Sequence, residues 1–178
     1  MLQEGPKANK VLKYMVVVAI VLSAILVLAV LWPQSTKPPE DEVYFGYLEY
    51  EVAGVAFFIP LTGKVRAEIF NVTEEGYWAR ITVEGIPGGQ SKTQYYDWEE
   101  APAYVSDIGV RTGNETVETP WGTKVLERYD LEDNGTRITS YLGTEPRIVY
   151  KVVAEGSGIQ LVMTLVETDI DEVRTGNG

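Results

Sequence analysis

The chain of 178 residues contains no cysteine and no histidine. These absences remove the common zinc, copper and haem ligands, the Cys-His and Ser-His-Asp catalytic devices, and the side chain that most often exchanges protons near neutral pH. Disulfides and a lipid-modified cysteine are excluded as well. We find no catalytic, cofactor-binding or metal-binding motif, and we therefore predict that the protein is not an enzyme and uses no cofactor.

Basic residues are also scarce, since 15 Lys and Arg stand against 26 Asp and Glu and give a net charge of −11. Phosphate recognition needs a face rich in lysine and arginine, so we predict no nucleic-acid partner. The acidic surface is expected to keep the protein solvated and self-repelling. An acidic patch for cations or for a basic partner is the alternative interpretation.

One long apolar run extends over residues 14–32 and is interrupted only by Ser23. A helix rises about 1.5 Å per residue, so the run is long enough to cross a hydrocarbon core about 30 Å thick. Tyr14 and Trp32 stand at its two ends, where amphipathic rings favour the membrane interfaces. We predict a transmembrane α-helix over residues 14–32 that lies in the lipid bilayer.

The charges on the two sides of this run predict its orientation. Three lysines precede it: Lys7, Lys10 and Lys13. With Glu4 they give residues 1–32 a net charge of +2. Since the whole chain has a net charge of −11, residues 33–178 carry −13. The positive-inside rule then places the N-terminus in the cytoplasm and the acidic part outside the cell membrane. A cleaved secretory signal and a pilin-like signal are alternatives, but the run is long and lacks an A-x-A-like site.

The rest of the chain predicts one extracytoplasmic domain. The expected parts are a basic cytoplasmic N-terminus (1–13), the transmembrane helix (14–32), a Pro-rich acidic linker (33–42), a β-domain (43–168) and a flexible tail (169–178). A domain of this size can bury a core without disulfides. From residue 43 onward apolar residues recur with a period of two, which indicates β-strands.

Alternation predicts which side chains face the core. On the predicted strands Lys64–Ile69 and Tyr77–Glu84, the side chains expected to point inward are Val65, Ala67, Ile69, Tyr77, Ala79, Ile81 and Val83. Further predicted strands are Val43–Val52, Val55–Ile59, Thr123–Asp130, Arg137–Leu142, Ile148–Val153 and Gln160–Thr168. Glycine-bearing pairs between them predict turns at Ala53-Gly54, Thr62-Gly63, Asn134-Gly135 and Gly156–Gly158. We expect an all-β antiparallel meander that forms a sandwich, half-barrel or barrel, with a long crossover over residues 88–122.

Residues 113–168 carry a family resemblance. A Gly122-Thr123 opens one strand, the next ends at Gly143-x-x-Pro146, and the last ends in Leu165-Val-Glu-Thr168. This rhythm resembles the curved meander of LolA-like envelope proteins, and the resemblance implies a sheet that cradles lipid acyl chains or lipoproteins. The chain lacks the long helices that close such a cradle. As a whole it also resembles uncharacterised membrane-anchored β-domain proteins of thermophilic archaea.

Three N-glycosylation sequons lie in the predicted outer domain, at Asn71, Asn114 and Asn134. We expect Asn114 and Asn134, in predicted loops, to be better candidates than Asn71 at a strand end. Residues 130–135 place oxygen ligands as the start of a calcium loop does, but the twelfth position is Tyr141 instead of glutamate. A hairpin turn explains the same residues.

A cluster of aromatic and acidic residues occupies 95–100, with the sequence Tyr-Tyr-Asp-Trp-Glu-Glu. Aromatic faces stack on sugars and paired carboxylates cleave glycosides, but adjacency in sequence does not hold two acids across a cleft. The alternative is that the aromatic rings close one end of the core. We therefore assign no catalytic role to Asp97, Glu99 or Glu100.

These observations predict a single-pass membrane protein whose β-domain is a binding or scaffold module, with a protein partner in an envelope assembly. One alternative is a LolA-like carrier or sensor of lipid or another apolar ligand. A carbohydrate-active enzyme is the third. The two binding hypotheses differ in whether the concave face of the sheet is filled by its own side chains.

Overall fold

The computed structural model describes residues 43–98, 109–156 and 158–175. They form nine strands and a short helix: β1 (Tyr44–Ala56), β2 (Ile59–Phe70), β3 (Gly76–Glu84), β4 (Ser91–Asp97), β5 (Val110–Thr119), β6 (Gly122–Asp133), β7 (Thr136–Leu142), β8 (Val149–Gly156), β9 (Ile159–Thr168) and α1 (Asp171–Thr175). The all-β prediction is confirmed.

All nine strands form one antiparallel sheet in the order β4-β3-β2-β1-β9-β8-β7-β6-β5. Except for β4 and β5, strands that follow one another in the chain pair as hairpins. The two meanders, β1–β4 and β5–β9, are joined because the first and last strands pair along most of their length. The edge strands β4 and β5 do not pair with each other, so the sheet is not closed and the barrel alternative is wrong.

The core lies on one face of this sheet. The largest side chains that are less than 2% exposed include Tyr50 on β1, Leu142 on β7 and Leu165 on β9. One cluster of buried residues joins side chains from β4 and β6, which are far apart in the sheet. A flat sheet could not bury them together, so the sheet bends around its own apolar face.

The predicted inward positions are confirmed on β2 and β3. Val65, Ala67 and Ile69 are all at most 5% exposed. They pair with residues of β3 that also point inward. The residues that alternate with them along β2 point to the opposite face and carry charges. There the Arg80 guanidinium lies 3.5 Å from the Glu68 carboxylate across the strands. This alternation is that of a sheet with one buried and one solvated face.

Two predicted turns, Ala53-Gly54 and Thr62-Gly63, are wrong. Both glycine pairs lie inside long strands, and the chain reverses at Phe57-Phe58. The glycines serve close packing, since a Cβ on Gly54 would stand 2.0 Å from the Gln160 carbonyl oxygen and one on Gly63 2.4 Å from that of Glu84. Glycine therefore marked a close approach of strands and not a reversal of the chain.

The predicted crossover over residues 88–122 is also wrong, because it contains the strands β4 and β5. Both are edge strands that bury little, and on β5 only Val117 is buried. A register shift between Arg111 and Gly113 further breaks the alternation. Edge strands of this kind have little periodic apolar signal to find.

The predicted flexible tail, 169–178, begins instead with packed structure. Ile170 is buried, and Val173 in α1 is fully buried. The backbone carbonyl of Val173 accepts a hydrogen bond from the buried Tyr150 hydroxyl at 3.2 Å. Two apolar residues at helical spacing were enough to dock a single turn of helix against the sheet end.

The predicted membrane span, 14–32, with Lys7, Lys10, Lys13, Tyr14 and Trp32, lies outside the described residues. Within residues 43–98, 109–156 and 158–175, no helix is long and apolar enough to cross a membrane.

Candidate functional site

An apolar cleft of about 450 Å³ opens at one end of the sheet. This is the end where the described chain begins, at the start of β1. Within the described part of the chain, its lining comes from five separate segments: Phe45, Ile69, Val72, Trp98, Glu145, Pro146, Ile148, Ile170, Glu172 and Thr175. The volume falls within the range of small-molecule sites, about 300–1,000 Å³, and is large enough for an aromatic or branched aliphatic group.

The α1 side of the cleft is held by close packing and by a hydroxyl. Gly46 has no side chain because a Cβ there would stand 2.5 Å from Ile170 Cγ1. The Thr168 hydroxyl donates to the Tyr47 carbonyl and accepts from the Ile170 backbone N–H, the latter at 3.1 Å. The turn that leads into α1 is thus fixed against β1, and Ile170 is positioned as a wall of the cleft.

Stacked aromatic rings form the β4 side. The Trp98 ring lies 4.6 Å from the Tyr77 ring between centroids, and its indole N–H donates to the Thr73 carbonyl at 2.9 Å. Tyr96 also stacks against Tyr77, with 5.8 Å between the ring centroids. Burial raises the pKa of Tyr96 to about 12. For Tyr96 and Trp98 the interpretation that aromatic rings close the end of the core is confirmed.

Val43, which precedes β1, is hydrogen-bonded to Asn71, the residue that follows β2. The Asn71 side-chain oxygen accepts the Val43 backbone N–H at 2.8 Å, and the backbone N–H of Asn71 donates to the Val43 carbonyl at 2.8 Å. Asn71 takes a left-handed backbone, with φ of 48°. Phe45, two residues further along β1, is therefore held over the cleft although it is 58% exposed.

The charge that the described residues bring to the cleft is negative. Of the described residues that line it, only Glu145 and Glu172 are charged, and both are exposed at its rim. The nearby Arg147 points elsewhere, since its guanidinium donates to the Tyr129 hydroxyl at 3.2 Å. An apolar floor with an acidic rim suits a ligand that combines an apolar group with a positive charge.

A second polar cluster surrounds Asp130 on the second meander. Its carboxylate accepts from the Thr139 hydroxyl at 2.7 Å and the Thr112 hydroxyl at 3.0 Å, and it pairs with Arg128 and Arg137, each at 3.2 Å. Burial acts to raise the pKa of Asp130, but these hydrogen bonds outweigh it and hold the pKa well below its usual range. Every bond comes from the domain itself, so the cluster stabilises the strands that it joins.

The calcium-like segment forms the β6–β7 hairpin. Asn134 and Gly135 have φ of 49° and 75°, as a type I′ turn requires, so the hairpin interpretation is confirmed. Among the residues that the structure describes, no group of three or more Asp and Glu side chains is placed to hold a metal ion. The carboxylate of Asp130 is instead engaged by arginine and hydroxyl donors.

The three sequon asparagines differ in access. The Asn71 side-chain nitrogen, which would carry a glycan, is buried without a hydrogen-bond partner in the described part of the chain. Asn114 is exposed, although it lies on the edge strand β5 and not in the predicted loop. Asn134 is exposed in its turn. Accessibility therefore favours Asn114 and Asn134, as expected.

The aromatic and acidic cluster at 95–100 does not assemble a pair of acids in the described structure. Tyr95 packs edge-on against Trp78 on the sheet face opposite to Tyr96, at 5.8 Å. Asp97 ends β4, whereas Glu99 and Glu100 lie outside the described residues. Of this cluster, Trp98 lines the cleft.

Sequence reasoning missed the cleft because its lining is spread from Phe45 to Thr175 and comes together only through the β1–β9 pairing. One signal was available. Ile170 and Val173 follow the last strand at helical spacing, which indicates a packed turn of helix at the domain end. A comparison of the chain with protein-family models gives no match, and neither does a comparison with proteins of curated function.

Proposed function

We propose that the protein is a membrane-tethered binding module, not an enzyme, that holds the apolar part of a ligand or partner in the cleft at the end of its β-domain. The observation that carries this proposal is the cleft itself, with Phe45, Trp98 and Ile148 among its walls. Its acidic rim favours a cationic group on the occupant. Under this proposal the helix over residues 14–32 anchors the domain outside the cell membrane, with the N-terminus in the cytoplasm.

The position of the cleft supports a role close to the membrane. Residues 33–42, the predicted linker, span at most about 36 Å when fully extended. The chain enters the domain at Val43, beside the cleft, so the site stays near the bilayer and sees any membrane-borne partner at a high effective concentration. A scaffold subunit that captures a neighbouring membrane protein uses this geometry directly.

The filled interior favours this proposal over a LolA-like carrier. Tyr50, Leu142 and Leu165 occupy the face that would cradle acyl chains, and none is more than 2% exposed. The described sheet is best interpreted as a half-barrel that is packed with its own side chains. The cleft at its end takes one apolar group and not several acyl chains.

Native mass spectrometry of the full chain, extracted from the membranes of the producing cells, tests the proposal. The Phe45→Ser variant removes an exposed wall of the cleft. Val43→Ser removes an equally exposed apolar residue of the same segment that does not line it. We expect a ligand or stoichiometric partner on the wild type and on Val43→Ser, and its loss from Phe45→Ser. Wild-type protein that carries neither, or equal retention by both variants, would contradict the proposal.

The Cys-free sequence gives a test of the tether that is independent of the cleft. A cysteine placed at Glu4 or at Asn134 is the only thiol in the chain. We expect a membrane-impermeant maleimide to label Asn134→Cys in intact cells, and to label Glu4→Cys only after the cells are opened. The reverse pattern would overturn the orientation.

A further inference from the structure

The β1–β2 hairpin ends in an apolar tip at the opposite end of the sheet from the cleft. Residues 52–63 contain no charged side chain, although 23% of the chain is charged. Phe58 at the turn is 91% exposed, and Val55 and Ile59 beside it are each 40% exposed. Ile59 pairs with Ala56 and lies on the inner face of the hairpin, whereas Val55 lies on the outer face. We call Phe58 and these two flanking side chains the apolar tip.

The backbone at this tip is strained. Phe57 and Phe58 both have positive φ, 50° and 68°, in a turn that normally uses Asn-Gly because bulky residues avoid the left-handed region. The same domain uses Asn134-Gly135 for the equivalent turn between β6 and β7. Strained residues that persist where an unstrained alternative exists are a sign of function.

The two phenylalanines have different environments. Phe57 packs on the small buried cluster of Ala56, Leu61 and Leu161, and its backbone N–H donates to the Gly158 carbonyl at 2.7 Å. Phe57 therefore holds the turn in place. Phe58 is not part of that cluster, and its ring projects into solvent. The fold gains nothing evident from the ring of Phe58, so we look for its role in binding.

The neighbourhood of the tip is acidic. The ladder pairs at this end place three turns side by side: Ala56 with Ile159, Ile159 with Gly156, and Gly156 with Thr136. Asp133 and Glu155 flank the two neighbouring turns and are exposed. The described basic residues nearest in the ladders are Arg137, which lies opposite Glu155 but whose guanidinium pairs with Asp130, and Lys64, which pairs with Glu49.

These features indicate which kind of molecule binds the apolar tip. An acidic surround disfavours an anionic bilayer, and the tip has phenylalanine where residues that anchor at membrane interfaces are tryptophan and tyrosine. The tip also lies the length of β1, 13 residues or about 40 Å, from the point where the chain enters. A second copy of this chain would bring another acidic end against it.

We propose that the apolar tip docks into a protein partner that presents an apolar pocket rimmed by lysine or arginine. Phe58 is the anchor that enters the pocket, Val55 and Ile59 contact its mouth from the two faces of the hairpin, and Asp133 and Glu155 face its basic rim. Exposed aromatic anchors of this kind dominate binding energy in protein interfaces. The proposal does not depend on the cleft, and it adds a second site at the far end of the same sheet.

The test uses the full chain in its producing cells, with a photo-crosslinking amino acid at Val55 and, as a control, at Asn134 on the neighbouring hairpin. We expect a discrete adduct with one protein from position 55, which is lost when Phe58→Ser is added and restored by Phe58→Tyr. Circular dichroism and the melting temperature are measured as well, to check that Phe58→Ser is folded. An adduct with lipid, with a second copy or with nothing, or one that is indifferent to Phe58→Ser, would overturn the proposal.

The protein identified in this way is then purified and titrated with the full chain in nanodiscs. We expect Phe58→Ser to weaken binding at least tenfold and the cleft variant Phe45→Ser to leave it unchanged. Raising the salt concentration should weaken the wild-type complex, because the charged rim is exposed. Binding that is lost with Phe45→Ser but not with Phe58→Ser would assign the partner to the cleft and refute a tip site.

Discussion

The Tyr50 hydroxyl on β1 donates a hydrogen bond to the Val149 carbonyl on β8 at 2.8 Å, and both residues are fully buried. Strand β9 lies between β1 and β8 in the sheet. The bond therefore spans the bent sheet across its inner face and joins the two meanders independently of the β1–β9 ladder. It also satisfies a carbonyl at the start of β8, next to a register shift in the β7–β8 ladder.

Removing this bond is expected to destabilise the domain. Tyr50→Phe keeps the ring in the core and leaves the Val149 carbonyl buried without that partner, which costs about 1–3 kcal/mol of unfolding free energy. Urea unfolding followed by tryptophan fluorescence measures the change. Tyr47→Phe is the control, because it removes an exposed hydrogen bond to Glu167 and should cost less. Equal effects of the two substitutions would contradict a specific stabilising contribution of the buried bond.

The acid sensitivity of the domain should depend on Asp130. Its pKa is lower in the folded chain than in the unfolded chain, so its contribution to stability is complete above the unfolded pKa of about 3.9 and is lost as the pH falls toward the folded value. Asp130→Asn should lower the unfolding free energy at neutral pH and reduce its further fall below about pH 4. Glu132→Gln, on the same strand, is the control. Parallel pH profiles of Asp130→Asn and wild type would contradict this.

Relief of strain at the hairpin tip should raise stability. Phe58→Asn places a residue that tolerates the left-handed region where φ is 68°. The exposed ring contributes little packing, so we expect the unfolding free energy to rise by about 1 kcal/mol, the lower end of the penalty for a left-handed residue with a full side chain. Thermal unfolding measures it. A lower melting temperature would show that Phe58 contributes to the fold after all.

Glycan occupancy should follow exposure of the asparagine nitrogen. In a host that modifies sequons, Asn114→Gln and Asn134→Gln are each expected to lower the intact mass by one glycan, and Asn71→Gln by none, because the Asn71 nitrogen is buried in the folded domain. Intact-protein mass spectrometry makes the comparison. A glycan that disappears with Asn71→Gln would mean that attachment precedes folding.

Strands with regular alternation could be predicted, and those without it could not. The buried faces of β2 and β3 follow from Val65, Ala67 and Ala79 alternating with charged residues, and the β6–β7 turn follows from Asn134-Gly135. Edge strands β4 and β5 bury too few residues to give a period. The β1–β2 turn was misplaced because local propensity disfavours Phe57-Phe58, and tertiary packing overrides that preference.

The cleft depends on contacts that no local pattern contains. The pairing of Leu48 with Thr168 brings the two ends of the domain together, and Ile170 then packs against Gly46. Hydrophobicity alone could mark Ile170 and Trp98 as buried. It could not show that they line one cavity with Phe45, because that depends on the order of strands in the sheet.

Titration of the cleft with a small apolar cation tests the central claim most directly. Trp98 lines the cleft, so its emission reports on the occupant. With the full chain in nanodiscs, we expect n-hexylamine to give a saturable change in emission that Trp98→Phe abolishes and Phe45→Ser weakens, while hexanoate gives little change because Glu145 and Glu172 repel it. A response that does not saturate, or that persists unchanged in Trp98→Phe and Phe45→Ser, would contradict a binding site in the cleft.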